Sequence, residues 1–389
     1  MRYKRLKYSA ILLLTLFTGI ALLLWASARN AKPIKIDAET IEIHNYSFLK
    51  TRLENASIVI LGETLHEDGT TFTQKTEIVK FLHDSLGFNT LLFEAELCGM
   101  KDFDALAPER TLWPFWASSE QMHDLWTYIR DSGLVVGGID CQFSGNIPDS
   151  LRFEKIMSIA NGNEKDYPVS KRKMRQIIRM VSSGLDLRFA VSKDTLEAIN
   201  LEMRRMTDSI PDGYSKRMIE GFRNVINYQY TYKLGDDRRV AWRDSLMFDN
   251  FRWHEEHTGN KIIVWCSNMH ASKKYYRNYL TGSGYANFGQ RVKERYGNSL
   301  YVILFDNWGR IANESKRSYY FPKTSSLEYG LHHISSSKPL FVTRLDLLGK
   351  INVSRLFEDE LQCSPAEMAD AIIFIDLMEN ARYKNMGAN

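Results

Sequence analysis

The stretch Ser57–Glu94, SIVILGETLHEDGTTFTQKTEIVKFLHDSLGFNTLLFE, decides how the rest of the chain is read. Ile58 to Leu61 is a short continuous apolar run, as expected of a strand buried on both faces. It empties abruptly into Gly62-Glu63-Thr64-Leu65-His66, two ionisable groups just past a strand end. Thr71 and Gln74 have the spacing of a capping box, and Phe72, Val79, Leu82 and Leu86 recur near helical period, which predicts a helix closed by Gly87. A second apolar run, Thr90 to Phe93, ends in Glu94. The unit reads as strand, helix, parallel strand, with Glu94 expected on the strand neighbouring Glu63 and His66. In open α/β sheets the carboxyl ends of the strands are where ligands bind.

The remaining chain extends this pattern. Ile41 to Asn55 is expected to be an approach helix, with Phe48, Leu49 and Leu53 facing the core. Residues 98–118 read as irregular, and Ser119 as the cap of a helix reaching about Asp131 with Met122, Leu125, Trp126 and Ile129 on one face. Strands are predicted at Leu134 to Ile139, ending at Asp140, at Lys261 to Cys266, ahead of Asn268-Met269-His270, at Leu300 to Phe305, Leu340 to Thr343, and Ala371 to Ile375, ending at Asp376. Phe288 to Tyr296 and Ser326 to Leu331 read as helices. Strands alternating with helices predict an α/β fold, a largely parallel central sheet flanked by helices. Between 149 and 258 the strands give way to charged segments of helical spacing, read as a helical insertion. Its basic run, Lys171 to Arg179, is expected to be a solvated helix face. The domain expected over 29–389 includes this insertion.

The formal charge of +4 does not point to nucleic acid. Arg2, Lys4, Arg5 and Lys7 lie in a leader without acids, and the remaining chain carries 47 basic and 47 acidic residues. The basic start, the apolar run Ala10 to Trp25 and Ala26-Ser27-Ala28 have the pattern of a secretory signal. The run lies near the lower length limit for a bilayer span, about 17 residues. Residues 1–28 are therefore expected to be a signal peptide or an N-terminal membrane anchor, attaching the chain through residues 10–28, with the body exported to the periplasm or outside the cell. Cys98, Cys141, Cys266 and Cys363 form no Cys-x-x-Cys pair. They read as buried thiols, although export would permit a disulfide.

A histidine beside a carboxylate can be held in one tautomer and accept a proton near neutral pH. Glu63 and His66 have that relation, and Glu94 would add a second carboxylate. Lys75, on the apolar side of its helix, requires an acid partner. Asp140 and His270 end strands in the same way, so Glu63, His66, Glu94, Asp140 and His270 are expected on one sheet edge. His83 reads as a core or edge histidine, and His254-Glu255-Glu256-His257 as surface helix, since its histidines are three apart rather than four. No Gly-x-Ser-x-Gly elbow, P-loop or Gly-x-Gly-x-x-Gly is present. Water activated by a histidine–carboxylate pair remains, with or without a metal.

These residues resemble the erythromycin esterase family. The resemblance rests on Gly62-Glu63-x-x-His66, Gly87-Phe88 leading to Phe93-Glu94, Gly138-Ile139-Asp140, Arg243-Asp244-x-x-Met247-x-x-Asn250, Val264 to His270 and Asp370 to Asp376. It implies a metal-independent hydrolase of a carboxylic ester or lactone, of which the macrolactone of erythromycin-type antibiotics is the family's example. By the resemblance His66 would be the general base, Glu63 and Glu94 would orient it and the water, and His270 would bind or polarise the carbonyl. Lys75, Asp140 and Asn268 would face the small-molecule substrate. Two positions differ from the family pattern: Lys75 replaces an arginine, and Ser267 a histidine. Two rival readings use the same site. Glu63, His66, Glu94 and His270 could ligate zinc or manganese in a metal-dependent hydrolase, or the altered site could bind a ligand without turning it over.

Overall fold

The structure, a computed structural model, describes residues 15–20, 34–97, 110–159, 171–231, 236–259, 261–274, 285–313, 316–319, 324–336, 338–357 and 361–383. The strands in chain order are β1 Glu39–Glu42, β2 Ile58–Leu61, β3 Thr90–Glu96, β4 Val135–Asp140, β5 Ile262–Trp265, β6 Leu300–Asn313, β7 Lys316–Tyr319, β8 Leu340–Thr343, β9 Ile351–Val353, β10 Leu361–Cys363 and β11 Ala371–Glu379. The large sheet runs β1-β8-β11-β6-β2-β5-β3-β4, with β7 on β6, and β9 pairs with β10. From β4 across to β11 every neighbouring pair on this path is parallel. β8 runs antiparallel to β11, and β1 to β8. The fold is the expected α/β arrangement, a mostly parallel sheet flanked by helices.

β2 is buried along its whole length because its side chains serve two cores. Val59 and Leu61 face a cluster with Phe72, Leu82, Phe93 and Trp265, while Ile58 and Ile60 face Met247, Phe251, Phe288 and Leu304 on the other side. One correction concerns strand order. β3 does not neighbour β2, because β5, arriving after the helical stretch, lies between them and pairs with both. Glu63 and Glu94 are thus two strand spacings apart, on the order of 10 Å across the sheet, and β5 supplies the residues between them.

Helix boundaries also depart from the sequence pattern. The helix after β2 spans Gly69–Leu86, so Thr71 lies inside it and caps nothing. The expected capping box does not form because Gln74 Oε1 accepts the Tyr46 hydroxyl (2.5 Å) and Thr71 Oγ1 turns to Met378 Sδ (3.7 Å). Gly87 does close the helix, in the left-handed conformation (φ 71°). No approach helix spans 41–55. Ile41 pairs with Phe341 in the β1–β8 ladder, and a single turn, Leu49–Arg52, follows. Phe48 packs against the core, and Leu49 and Leu53 lie within it, as expected. The predicted helix from Ser119 is a 3₁₀ turn, Glu120–Met122, followed by the helix His123–Ser132.

Between 149 and 258 the described residues form the helices Asp149–Ile159, Lys171–Ser182, Lys193–Ser209, Tyr214–Tyr230 and Asp236–Thr258. Four of them share an apolar cluster that includes Phe153, Ile177, Ile178, Ile199, Phe222 and Ile226. Arg172, Arg175 and Arg179 of the basic run are exposed, while Met174, Ile177 and Ile178 are buried. The helix Asp236–Thr258 lies along β4. His254 anchors it through Nε2 and the Gly138 carbonyl (3.0 Å), and Asn250 Nδ2 donates to Ile139 O (2.8 Å). His254 is therefore buried, against the expectation of a surface helix, and Gly137 must lack a side chain because a Cβ there would sit 2.5 Å from His254 Cε1. Cys141, Cys266 and Cys363 are free and buried, while Cys98 lies outside the described residues. Most of residues 1–28, read as signal or anchor, also lies outside. Among the described residues no helix is long and apolar enough to cross a membrane.

Candidate active site

Two residues past β2, Glu63 is completely buried. Its carboxylate accepts four hydrogen bonds from described residues. Oε1 receives His66 Nδ1 (2.8 Å) and Trp116 Nε1 (3.0 Å), and Oε2 receives Lys75 Nζ (2.9 Å) and Trp265 Nε1 (2.9 Å). Two oxygens offer about four lone-pair positions, so this acceptor is saturated. A buried carboxylate is tolerated only with such a set of donors, one of them charged. Lys75 is also fully buried, 4.2 Å from the centre of the Trp265 ring. Burial lowers its pKa, with the Glu63 carboxylate opposing. Lys75 stands behind Glu63 and cannot touch a substrate, which corrects its expected role.

His66 is the open member of this group, with 37% of its side chain exposed. Phe115 stacks on one face of the ring (4.6 Å, 11°), and Trp116 meets it edge-on (5.4 Å). Glu63 can only accept at its Oε1, so Nδ1 carries the hydrogen and the neutral ring keeps its lone pair on Nε2. Burial lowers the pKa of this imidazole, but the Glu63 and Glu94 carboxylates more than compensate and raise it above its ordinary value, with Arg243 acting against them. The result is a base strengthened by its two carboxylate neighbours.

The second half of the site is a closed arrangement of charges. Arg243, on the helix Asp236–Thr258, reaches Asp140 through Nε (3.1 Å to Oδ1) and Nη2 (2.6 Å to Oδ2). Nη2 also donates to Glu94 Oε1 (2.8 Å). His270 Nδ1 donates to Asp244 Oδ1 (2.7 Å), and its Nε2 lies 3.3 Å from Glu94 Oε1 and 3.0 Å from Arg243 Nη1. A bond from Nη1 to Nε2 would need a neutral ring. Burial also favours the neutral ring, but the Asp244 and Glu94 carboxylates prevail and push its pKa to about 10. We take the imidazolium, with Nε2–H facing Glu94, because two carboxylates flank one ring. Burial pushes the Glu94 carboxyl up, yet His270 and Arg243 hold it well below the usual range.

Neighbouring residues after β5 stitch the halves together. Ser267 N donates to Glu94 Oε2 (2.9 Å), and Asn268 N to the Glu63 carbonyl (2.8 Å). The Asn268 side chain is spent on backbone: Nδ2 donates to Phe305 O (2.7 Å) and Leu356 O (2.8 Å), and Oδ1 accepts from Phe305 N (3.3 Å). It is buried and offers nothing to a substrate, contrary to expectation. It also explains Gly62, where a Cβ would lie 2.1 Å from Asn268 Oδ1. Asp140 is buried, and its carboxylate is taken up by Arg243.

Glu63, His66, Glu94, Asp140 and His270 thus meet on one sheet edge, with Lys75 beneath. The sequence reading gave no role to Arg243, Asp244, Phe115, Trp116 or Trp265. Arg243 shares one helix face with Met247, Asn250 and His254, which recur every three to four residues, but only the position of the sheet shows that this face is turned toward it. Glu63 and Glu94, read as possible metal ligands, are occupied by Lys75 and Arg243. Among the described residues no group of three or more His, Cys, Asp and Glu side chains could hold a metal ion.

The family model described as erythromycin esterase matches residues 83–377, which include Glu94, Asp140, Arg243 and His270. A protein of Bacillus subtilis (strain 168) named putative hydrolase YbfO is 24% identical over 317 residues, 71% of this chain and 70% of that one. The fold is similar to that of a Bacillus cereus protein (TM-score 0.71, 21% identity, 92% of this chain and 98% of that one). It is similar also to a succinoglycan biosynthesis protein (TM-score 0.70, 17% identity, 92% and 97%) and to a mutant of the erythromycin esterase EreC in its open conformation (TM-score 0.64, 15% identity, 87% and 94%).

Proposed function

The chain belongs to the erythromycin esterase family and is a hydrolase, and we propose that it cleaves a carboxylic ester or lactone with water activated by His66. One observation carries the reading: a partly exposed imidazole whose inner nitrogen is fixed by a saturated, buried carboxylate, so that Nε2 is left without a partner among the described residues. Glu63 has no lone pair to spare and acts through His66. A water at Nε2 gives its proton to the ring as its oxygen bonds to the carbonyl carbon. The tetrahedral intermediate then expels the alkoxide, which takes the proton back from His66. The acid ionises on release. General-base assistance of this kind contributes about 10²–10⁴-fold.

A macrolactone is one substrate consistent with the family. Neither departure from the family pattern removes the base: Lys75 keeps a cation on Glu63, and Ser267 still caps Glu94 through its backbone. The test is a panel of esters and lactones, macrolides included, assayed with the wild-type protein and His66→Ala. The expected outcome is turnover that falls at least about a hundredfold in the variant. Turnover that survives the substitution unchanged would remove His66 from the chemistry.

We propose further that the basic and apolar leader sends the body out of the cytoplasm, by cleavage or as an anchor. Cell fractionation with an antibody to the body tests this, and recovery in the cytosol alone would contradict it.

A further inference from the structure

We infer that Arg243, rather than His270, is the group that meets the carbonyl oxygen of the substrate and holds the oxyanion. The inference rests on the ester-hydrolase reading above and goes beyond it by assigning the electrophilic half of the site.

The argument begins with access. The Arg243 side chain is 16% exposed, whereas that of His270 is 2% exposed. Both nitrogens of His270 are engaged, Nδ1 by Asp244 and Nε2 by Glu94. Asp244 is pinned in turn, since its Oδ1 also accepts Phe288 N (2.9 Å) at the first turn of the helix Phe288–Tyr296. The imidazole of residue 270 is thus a buried strut between two carboxylates and has no donor to offer.

The donor count of Arg243 leads to the same assignment. A guanidinium carries five N–H bonds. Nε gives one to Asp140, and Nη2 gives one each to Asp140 and Glu94. Nη1 has two, and its contact among the described residues is His270 Nε2. Among the described residues at least one N–H of Nη1 is therefore unspent, on the most exposed side chain of this network.

Placement is the third point. Ser267 and Asn268, adjacent in sequence, bind the Glu94 carboxylate and the Glu63 backbone, so the Arg243 half and the His66 half are held by one short loop. The guanidinium lies close enough to act on the His66 imidazole. It is fixed beforehand by two carboxylates, and a donor held in place stabilises developing charge without reorganising. Those same carboxylates offset its charge, so an anionic acid product is not trapped.

The test uses p-nitrophenyl acetate as substrate and p-nitrophenyl methylphosphonate, an anionic tetrahedral mimic, as ligand. Binding of the phosphonate is measured calorimetrically in the His66→Ala background, where turnover plays no part. Arg243→Lys is expected to weaken phosphonate binding at least about tenfold and to lower kcat far more than it raises KM. His270→Gln is expected to keep phosphonate binding within about threefold, while circular dichroism reports whether each variant is folded. Phosphonate binding unaffected by Arg243→Lys overturns the inference and leaves the hydrolase reading standing. If Arg243→Lys does not fold, His270→Gln decides: retained binding supports the inference, and loss of tenfold or more overturns it. A wild-type protein that turns over neither this ester nor the panel defeats the hydrolase reading itself, and the assignment of Arg243 with it.

Discussion

Two histidine–carboxylate pairs sit near the carboxyl ends of the strands, and they look alike at first sight. His66 Nδ1 lies 2.8 Å from Glu63, and His332 Nδ1 lies 2.5 Å from Asp376. Each ring is about a third exposed, 37% and 36%, and each stacks on an aromatic side chain, Phe115 at 4.6 Å and Trp308 at 4.2 Å. The difference lies behind the imidazole. Glu63 is buried and held by Lys75, Trp116 and Trp265, and a second carboxylate, Glu94, acts on the same ring. Asp376 is 31% exposed, and among the described residues His332 is its partner. Water screens such a pair and side-chain entropy loosens it, so its strength falls in the range of surface ion pairs, about 0–1 kcal/mol. A histidine beside an acid becomes a catalytic element when the acid cannot move and cannot be hydrated.

That contrast can be broken by substitution. The largest effect is expected for His66→Ala, a fall of about 10²–10⁴ in kcat. Next comes the support. Glu63→Gln alone would strand the buried Lys75 charge, at a cost of about 3–5 kcal/mol, so the informative variant is Glu63→Gln with Lys75→Met. It removes both charges together and should lower kcat/KM by roughly tenfold or more, since an orienting carboxylate can be worth much more than that. An effect of less than twofold would mean that Glu63 does not orient the base.

A third effect appears in stability rather than rate. His270, with its folded pKa raised to about 10 from an ordinary 6.5, binds a proton more tightly when folded. Its contribution is complete below pH 6.5, declines as pH rises, and is gone above about 10. Thermal unfolding between pH 6 and 10 should show a Tm that falls with pH more steeply in the wild type than in His270→Gln. Equal slopes would contradict the buried imidazolium. The smallest effect is expected for His332→Ala, which should change kcat/KM by less than about twofold. A loss comparable to that of His66→Ala would erase the distinction between the two pairs.

The sequence was most informative where local pattern and burial agree. β2 and β8 have the expected limits because short runs of three or four consecutive apolar residues, bounded by turn chemistry, have few other uses in a sheet buried on both faces. Gly87 was legible because a left-handed residue at that position favours glycine. Strand order was not legible. Nothing between Leu61 and Thr90 announces that β5, two hundred residues later, will slip between them. The capping box failed for a similar reason, since Gln74 answers to Tyr46, 28 residues earlier. The site was half legible. Strand-end residues such as Glu63, His66, Glu94, Asp140 and His270 stand out against apolar runs. Arg243 and Asp244 do not, because a charged residue on a charged helix looks solvated until the sheet it faces is known. Lys75 and Asn268 were found but assigned to the wrong surface, as sequence shows the edge a residue belongs to and not which way its side chain points.

The central claim is that His66, held by Glu63, takes the proton from the attacking water. It is tested most directly by measuring two titrations on one protein: the acid limb of kcat/KM for an ester it hydrolyses, and the imidazole of residue 66 followed by carbon-labelled histidine NMR. The account predicts that the limb and the ring titrate together at a pKa above 6.5, with activity rising as the ring loses its proton, and that both move down in the Glu63→Gln, Lys75→Met protein. A limb that stays in place while the resonance of residue 66 shifts would contradict it.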